Sequence, residues 1–165
     1  MKKIIVSALA VAALIGVVVL LLPAKQTAPQ TTFTTLSGSS LALDSLRGKV
    51  VLVNFWATSC PGCVKEMPEL IKTYQKYHAQ GLETVAVAMS YDPPEYVKQF
   101  TEKNGLPFTV ALDTSGAASQ AFGNVQLTPT TFVIGKDGEI VQQFLGEPDF
   151  AKLHALLEQE LAKKG

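Results

Sequence analysis

After a basic start, Met1-Lys2-Lys3, the chain runs from Ile4 to Leu22 for 19 residues without a charge and ends the run at Pro23. At about 1.5 Å per helical residue, such a run is long enough to cross about 30 Å of hydrocarbon. The two lysines stay on the inner side, so everything after Pro23 faces outward. The pattern predicts a single-pass membrane anchor over residues 1–24, with a cleaved signal peptide as the alternative. The run is long for a signal core, and Leu22 stands where a small residue is wanted before Ala24. No cysteine precedes Cys60, which excludes a lipoprotein anchor. Residues 25–30 are polar and read as a linker, leaving 31–165 for one domain large enough to bury its own core.

Within that domain the patterning alternates between strand and helix periods. Thr32 to Leu36 and Ser40 to Leu43 are two short strands separated by Ser37-Gly38-Ser39, a small hairpin. Val50-Val51-Leu52-Val53-Asn54-Phe55-Trp56 is β-branched and aromatic, too short for a helix, and reads as a buried strand. Beyond it, Val64, Met67, Leu70, Ile71, Tyr74 and Tyr77 recur at spacings of three and four, one face of a helix that stops near Gly81. Leu82 to Met89 is a second buried strand, completing a βαβ unit whose crossover is expected to be right-handed. Pro93-Pro94 opens another helix with Tyr96, Val97 and Phe100 inward, ending by Asn104-Gly105. Phe108 to Leu112 is a short strand and Ala117 to Phe122 a short helix. Thr130 to Ile134 and Glu139 to Phe144 flank Lys136-Asp137-Gly138, where Asp-Gly marks the turn of an antiparallel hairpin. The last helix, from Asp149 to Lys164, buries Phe150, Leu153, Leu156, Leu157 and Leu161 and covers the sheet. Parallel strands, then an antiparallel hairpin and a closing helix make an α/β/α sandwich with a mixed central sheet.

Chemistry enters where the first buried strand turns into its helix. The chain has 2 cysteines, Cys60 and Cys63, and both lie at this junction. Pro61 suits the first helical position because its missing N–H would have had no intrahelical partner, which places Cys60 at the N-cap and Cys63 one turn later. Unpaired backbone N–H groups and the positive end of the helix dipole favour thiolate over thiol there. Cys60 is therefore the expected attacking sulfur and Cys63 the resolving one. A static disulfide is the plainer reading, yet a bridge closing so small a loop constrains the unfolded chain little. Glu66, one turn beyond Cys63, can share its face; by spacing alone a solvated helix glutamate is an equal alternative. Burial there would raise its carboxyl pKa and let it exchange a proton with the thiols. Pro68, inside the helix, removes a backbone hydrogen bond.

Other chemistries fit less well. Haem attachment requires His after the second cysteine, where Val64 stands. Zinc requires two further ligands, and the histidines, His78 and His154, lie far along the chain without ligand spacing. No cofactor or metal is expected. Soft thiolates could hold copper, so a copper-binding or delivery module is the rival from another class, with Met67 the nearest further ligand and better read as core. Lysines plus arginines and acids each number 14, and discounting Lys2 and Lys3 leaves a slight acidic excess outside the membrane, which argues against nucleic acid. Export places the pair in an oxidising compartment, where a dithiol persists only if electrons are supplied.

The strings Val53-Asn54-Phe55-Trp56-Ala57-Thr58-Ser59-Cys60-Pro61-Gly62-Cys63-Val64-Lys65-Glu66-Met67-Pro68 and Leu127-Thr128-Pro129-Thr130-Thr131-Phe132-Val133-Ile134 resemble those of the TlpA/ResA family of membrane-anchored bacterial thiol-disulfide oxidoreductases. The likeness runs from about Phe33 to the C-terminus. It implies a thioredoxin-like fold with a central insertion near Asp92 to Leu112, and a cis Pro129 facing the cysteines. It also implies that Thr128 and Pro129 help bind substrate, with Trp56 packed beside the site and a candidate for substrate binding, and that Glu66 is an active-site residue. Asn54 replaces the buried aspartate of thioredoxin itself and cannot relay a proton. Ser59 departs from the tryptophan that often precedes the first cysteine. By the same resemblance the protein is a disulfide reductase of the bacterial inner membrane, its domain facing the periplasm. It would act on disulfide-bonded exported proteins such as apocytochrome c and be recharged by a transmembrane thiol electron donor. An oxidase or isomerase of the same fold is the nearest rival.

Overall fold

The computed structural model describes residues 26–164. The anchor expected over 1–24 lies outside them, and among the described residues no helix is long and apolar enough to cross a membrane. The strands are β1 (Gln26–Thr27), β2 (Thr32–Thr35), β3 (Ser40–Ala42), β4 (Val50–Trp56), β5 (Leu82–Ala88), β6 (Thr109–Leu112), β7 (Thr130–Ile134) and β8 (Glu139–Leu145). The helices are α1 (Pro61–Tyr77), α2 (Pro94–Asn104), α3 (Ala117–Ala121) and α4 (Phe150–Ala162).

All seven residues of β4 are buried, as its unbroken apolar run requires of a central strand covered on both faces. It pairs in parallel with β5, from Val50↔Leu82 to Trp56↔Ala88, and antiparallel with β7, from Val51↔Ile134 to Phe55↔Thr130. The complete sheet is mixed, in the order β1-β8-β7-β4-β5-β6-β2-β3. The α2–β6 insertion extends it, since β6 pairs in parallel with β5 and then antiparallel with β2 of the N-terminal hairpin. Gln26 and Thr27, part of the stretch read as a linker, instead form an edge strand against Ile140 and Glu139. Their side chains are polar and exposed, so hydrophobic patterning could not reveal a pairing made by backbone groups alone.

The pleat sorts β4 between two cores. Val51, Val53 and Phe55 pack with Phe33, Phe122 and Phe132 on one face. On the other, Val50 and Leu52 meet Tyr77, Leu153 and Leu157, while Trp56 meets Cys63, Met67 and Leu70. Asn54 shares the period of this second face and so points beneath α1. The first helix ends where its residues do: a 3₁₀ turn over His78–Gln80 leads to Gly81 at φ +103°, a left-handed backbone that glycine adopts without strain. At the other end of the domain, the Asp149 carboxylate accepts from the N–H groups of Ala151 and Lys152 and starts α4.

Leu153 is fully buried between α4 and the sheet. Leu153→Ala is expected to cost about 2–5 kcal/mol, read as a lower urea midpoint with an unchanged slope.

Candidate active site

The end of β4 delivers the chain at the buried Ala57 into a short turn, and α1 begins at Pro61. Cys60 is the N-cap, with φ −93° and ψ 109°, and its sulfur accepts the N–H of Cys63 at 3.2 Å. A cap of this kind normally uses a hydroxyl or carboxylate oxygen. Here sulfur takes that place and receives the field of the helix terminus. Cys60 and Cys63 are joined as a disulfide with Cα atoms 5.3 Å apart. Cys60 is half-buried and Cys63 is fully buried, so an incoming sulfur reaches Cys60 first.

The turn before Cys60 is held from a distance. Asp92, almost fully buried, accepts the Thr58 N–H and the Thr58 hydroxyl, each at 2.6 Å. Two charge-assisted bonds from one carboxylate leave this loop little freedom. Neither residue stands out in the sequence, because 34 positions separate them and only the pairing of β4 with β5 brings their loops together.

The opposite wall comes from the loop before β7. The Thr128–Pro129 peptide bond is cis, and the Thr128 carbonyl oxygen lies 3.5 Å from Cys60 Sγ. A Cβ added at Gly62 would stand 3.5 Å from Pro129 Cδ, so the helix start and the proline ring are in close apposition. Thr128 is half-buried, and its hydroxyl is 3.3 Å from that of Tyr91, an exposed residue at the start of the insertion. Tyr91 thus borders the groove, a position that no local pattern marks.

Beneath the disulfide lies a polar cluster. Glu66 is fully buried on α1, and its Oε1 accepts from Asn54 Nδ2 at 2.9 Å. The other proton of the same amide serves Thr131 Oγ1 at 2.9 Å. Desolvation pushes the Glu66 carboxyl up to about 7, against the lowering effect of the Asn54 hydrogen bond and with a further push from the Glu147 charge. Glu66 Oε2 has no partner among the described residues, which leaves it free to carry the proton. A buried carboxyl that titrates near neutrality beside a dithiol can act as its acid or base.

Trp56 ends β4. It is fully buried, its ring 5.1 Å from that of Phe100 and packed in the cluster of Cys63, Met67 and Leu70. Enclosed on all sides, it supports the site by packing. His154 is bound up with Thr73 Oγ1 at 2.9 Å. Among the described residues no group of three or more His, Cys, Asp or Glu side chains is placed to hold a metal ion.

Residues 23–157 match the Redoxin family. Over 132 residues the chain is 38% identical to the thiol-disulfide oxidoreductase ResA of Bacillus thuringiensis (strain Al Hakam), covering 80% of this chain and 75% of that protein. The solution structure of a candidate thioredoxin from Neisseria meningitidis is similar at a TM-score of 0.76 and 46% identity, covering 82% of this chain and 90% of that one. A thioredoxin-family thiol:disulfide interchange protein from Chlorobium tepidum has the same TM-score, 0.76, at 26% identity, with 84% and 97% covered.

Between about pH 4.5 and 7 the folded chain keeps the Glu66 proton that the unfolded chain has released. Stability from this group is therefore complete below that window and declines as pH rises through it. Glu66→Gln should remove this decline and stabilise the protein at pH 8 by up to about 3 kcal/mol. Urea unfolding of both forms at pH 5 and pH 8 checks this.

Proposed function

This chain belongs to the Redoxin family and is a ResA-like thiol-disulfide oxidoreductase of thioredoxin fold, and from that footing we propose that it reduces disulfides of exported proteins through Cys60, Cys63 and Glu66. The observation that carries the reading is the Cys60 sulfur itself, half-exposed at a helix N-cap and bonded to a buried partner one turn away.

In the reduced form the Cys60 thiolate attacks one sulfur of a client disulfide. That S–S bond breaks, a Cys60–client bond forms, and the released client thiolate takes up a proton. Cys63 then gives its proton to Glu66 and attacks Cys60 Sγ. The client leaves as a second thiolate, and the Cys60–Cys63 disulfide is restored. Two electrons pass from the pair to the client, so a thiol donor must return them before the next turnover. Thr128 and Pro129, against Cys60, would receive the client backbone. The buried Glu66 suits the resolving step because it is the carboxyl one turn beyond Cys63 and changes charge near neutral pH.

The cellular setting is part of the same proposal. Residues 1–24 hold the protein in the bacterial inner membrane, and the domain from 31 onward works on the periplasmic side. Apocytochrome c or other envelope proteins are its clients, and a transmembrane thiol protein is its donor. The apolar run of 19 uncharged residues after Met1-Lys2-Lys3 supports this reading.

Cys63→Ser should accumulate a mixed disulfide between Cys60 and an oxidised model polypeptide, visible on non-reducing gels, whereas Cys60→Ser should trap none. Equilibration with glutathione buffers tests direction. A reductase should show a potential below about −200 mV, and a value near the about −120 mV of strong oxidants would reverse the assignment.

A further inference from the structure

The loop between β8 and α4, Gly146-Glu147-Pro148-Asp149, is fixed against the redox site at both ends. At its start, the Gly146 N–H donates to the Pro129 carbonyl at 2.8 Å. Just past its other end, Phe150 packs on the cluster that contains Trp56, Cys63, Met67 and Leu70. Pro148 biases the residue before it toward extended backbone, so Glu147 has few conformations open to it. The Glu147 Oε2 meets Lys65 Nζ at 2.7 Å, which ties the loop to α1 at the residue preceding Glu66.

Such a bridge adds little to stability, because the Lys65 side chain is 73% exposed and that of Glu147 37%. Its effect lies in where it holds charge. Lys65 is the water-facing half and Glu147 the more sheltered one, so the field of the carboxylate reaches inward through protein, where screening is weak. Glu66 lies on that side, and neither of its oxygens is bonded to a cation: Oε1 accepts from Asn54, and Oε2 has no partner among the described residues. The other elements around Glu66 bring little charge to it. β4 and β7 present Asn54 and Thr131, which do not ionise. On α1, besides the two cysteines, Glu69 is paired with Lys72 at 2.7 Å, and at the start of α4 Asp149 is occupied in capping. The Glu147 charge opposes ionisation of Glu66, adding to the larger effect of burial.

We propose that Glu147 is a positioning residue of the redox reaction, held against α1 by Lys65 so that its charge makes Glu66 a stronger base for the Cys63 thiol. This rests on the role of Glu66 given under Proposed function. In the resolving step the Cys63 proton passes to Glu66, and the Cys63 sulfur bonds to Cys60 Sγ as the bond from Cys60 to the client sulfur breaks. The electron pair of that bond leaves with the client thiolate. A carboxylate of ordinary basicity is a weak acceptor for a thiol proton, and a neighbouring anion narrows the gap. Lys65 keeps that anion in place and offsets part of its charge.

The test follows the resolving step in the full chain, reduced and held in detergent micelles, with dithiobis(nitrobenzoate) as the disulfide. Cys60 attack releases one coloured thiolate and Cys63 resolution a second, so the second release gives the resolving rate at each pH. The inflection that Glu66→Gln removes from this profile belongs to Glu66. Glu147→Gln should move it to lower pH by about half a unit, and Lys65→Met should move it to higher pH. Lys49→Met, which breaks the Lys49–Glu83 pair at the far end of β4, should leave it in place. A bridge that served only to hold the loop would make Glu147→Gln and Lys65→Met shift the profile in one direction. That result, like an unmoved inflection in Glu147→Gln, overturns the inference while Glu66 keeps its role. If Glu66→Gln leaves the profile unchanged, the Glu66 reading falls and the inference falls with it.

Discussion

One hydrogen bond organises the site: the Cys63 N–H directed at the Cys60 sulfur, where a helix begins. It exists because β4 ends abruptly and Pro61 starts α1 without forfeiting a hydrogen bond, so the capping position falls on a cysteine. From it follow the proximity of the two sulfurs, the difference in their exposure, and the positive field on the outer one. The surrounding fold holds that junction still. Asp92 fixes the turn ahead of it, and the Thr128–Pro129 loop closes over the other side.

The buried Asn54 amide links the two walls. Its two protons reach Glu66 on α1 and Thr131 on β7, so helix and cis-proline strand are tied through β4. An amide in this position stays neutral whatever the pH. The ionisable member of this buried cluster is the glutamate, and its burial opposes charge while the amide hydrogen bond favours it. The balance leaves Glu66 near neutrality, the range in which a proton can pass to and from thiols.

The insertion serves the site as well as the sheet. By adding α2 and β6 it lengthens the parallel part and joins the N-terminal hairpin, and the loop that opens it supplies both Asp92 and Tyr91. At the far edge, β1 and β8 set where the chain enters the domain.

Much of this was legible one segment at a time. Short unbroken apolar runs marked β4, β5 and β7, period-3.6 patterning marked the faces of α1 and α4, and Asp137-Gly138 marked the last hairpin, because burial acts on every residue of such a pattern. Local chemistry likewise placed Cys60 at a cap and Cys63 a turn later, since capping depends only on neighbours in the chain. Resemblance pointed to Pro129, which no periodicity could identify. Tertiary structure alone decided that Asn54 meets Glu66, that Asp92 holds Thr58, that Trp56 packs against Phe100, and that Gln26 and Thr27 close an edge. Those contacts join positions tens of residues apart or use backbone groups that leave no mark on side-chain pattern. Their geometry comes from the order and register of strands, which sequence periodicity does not specify.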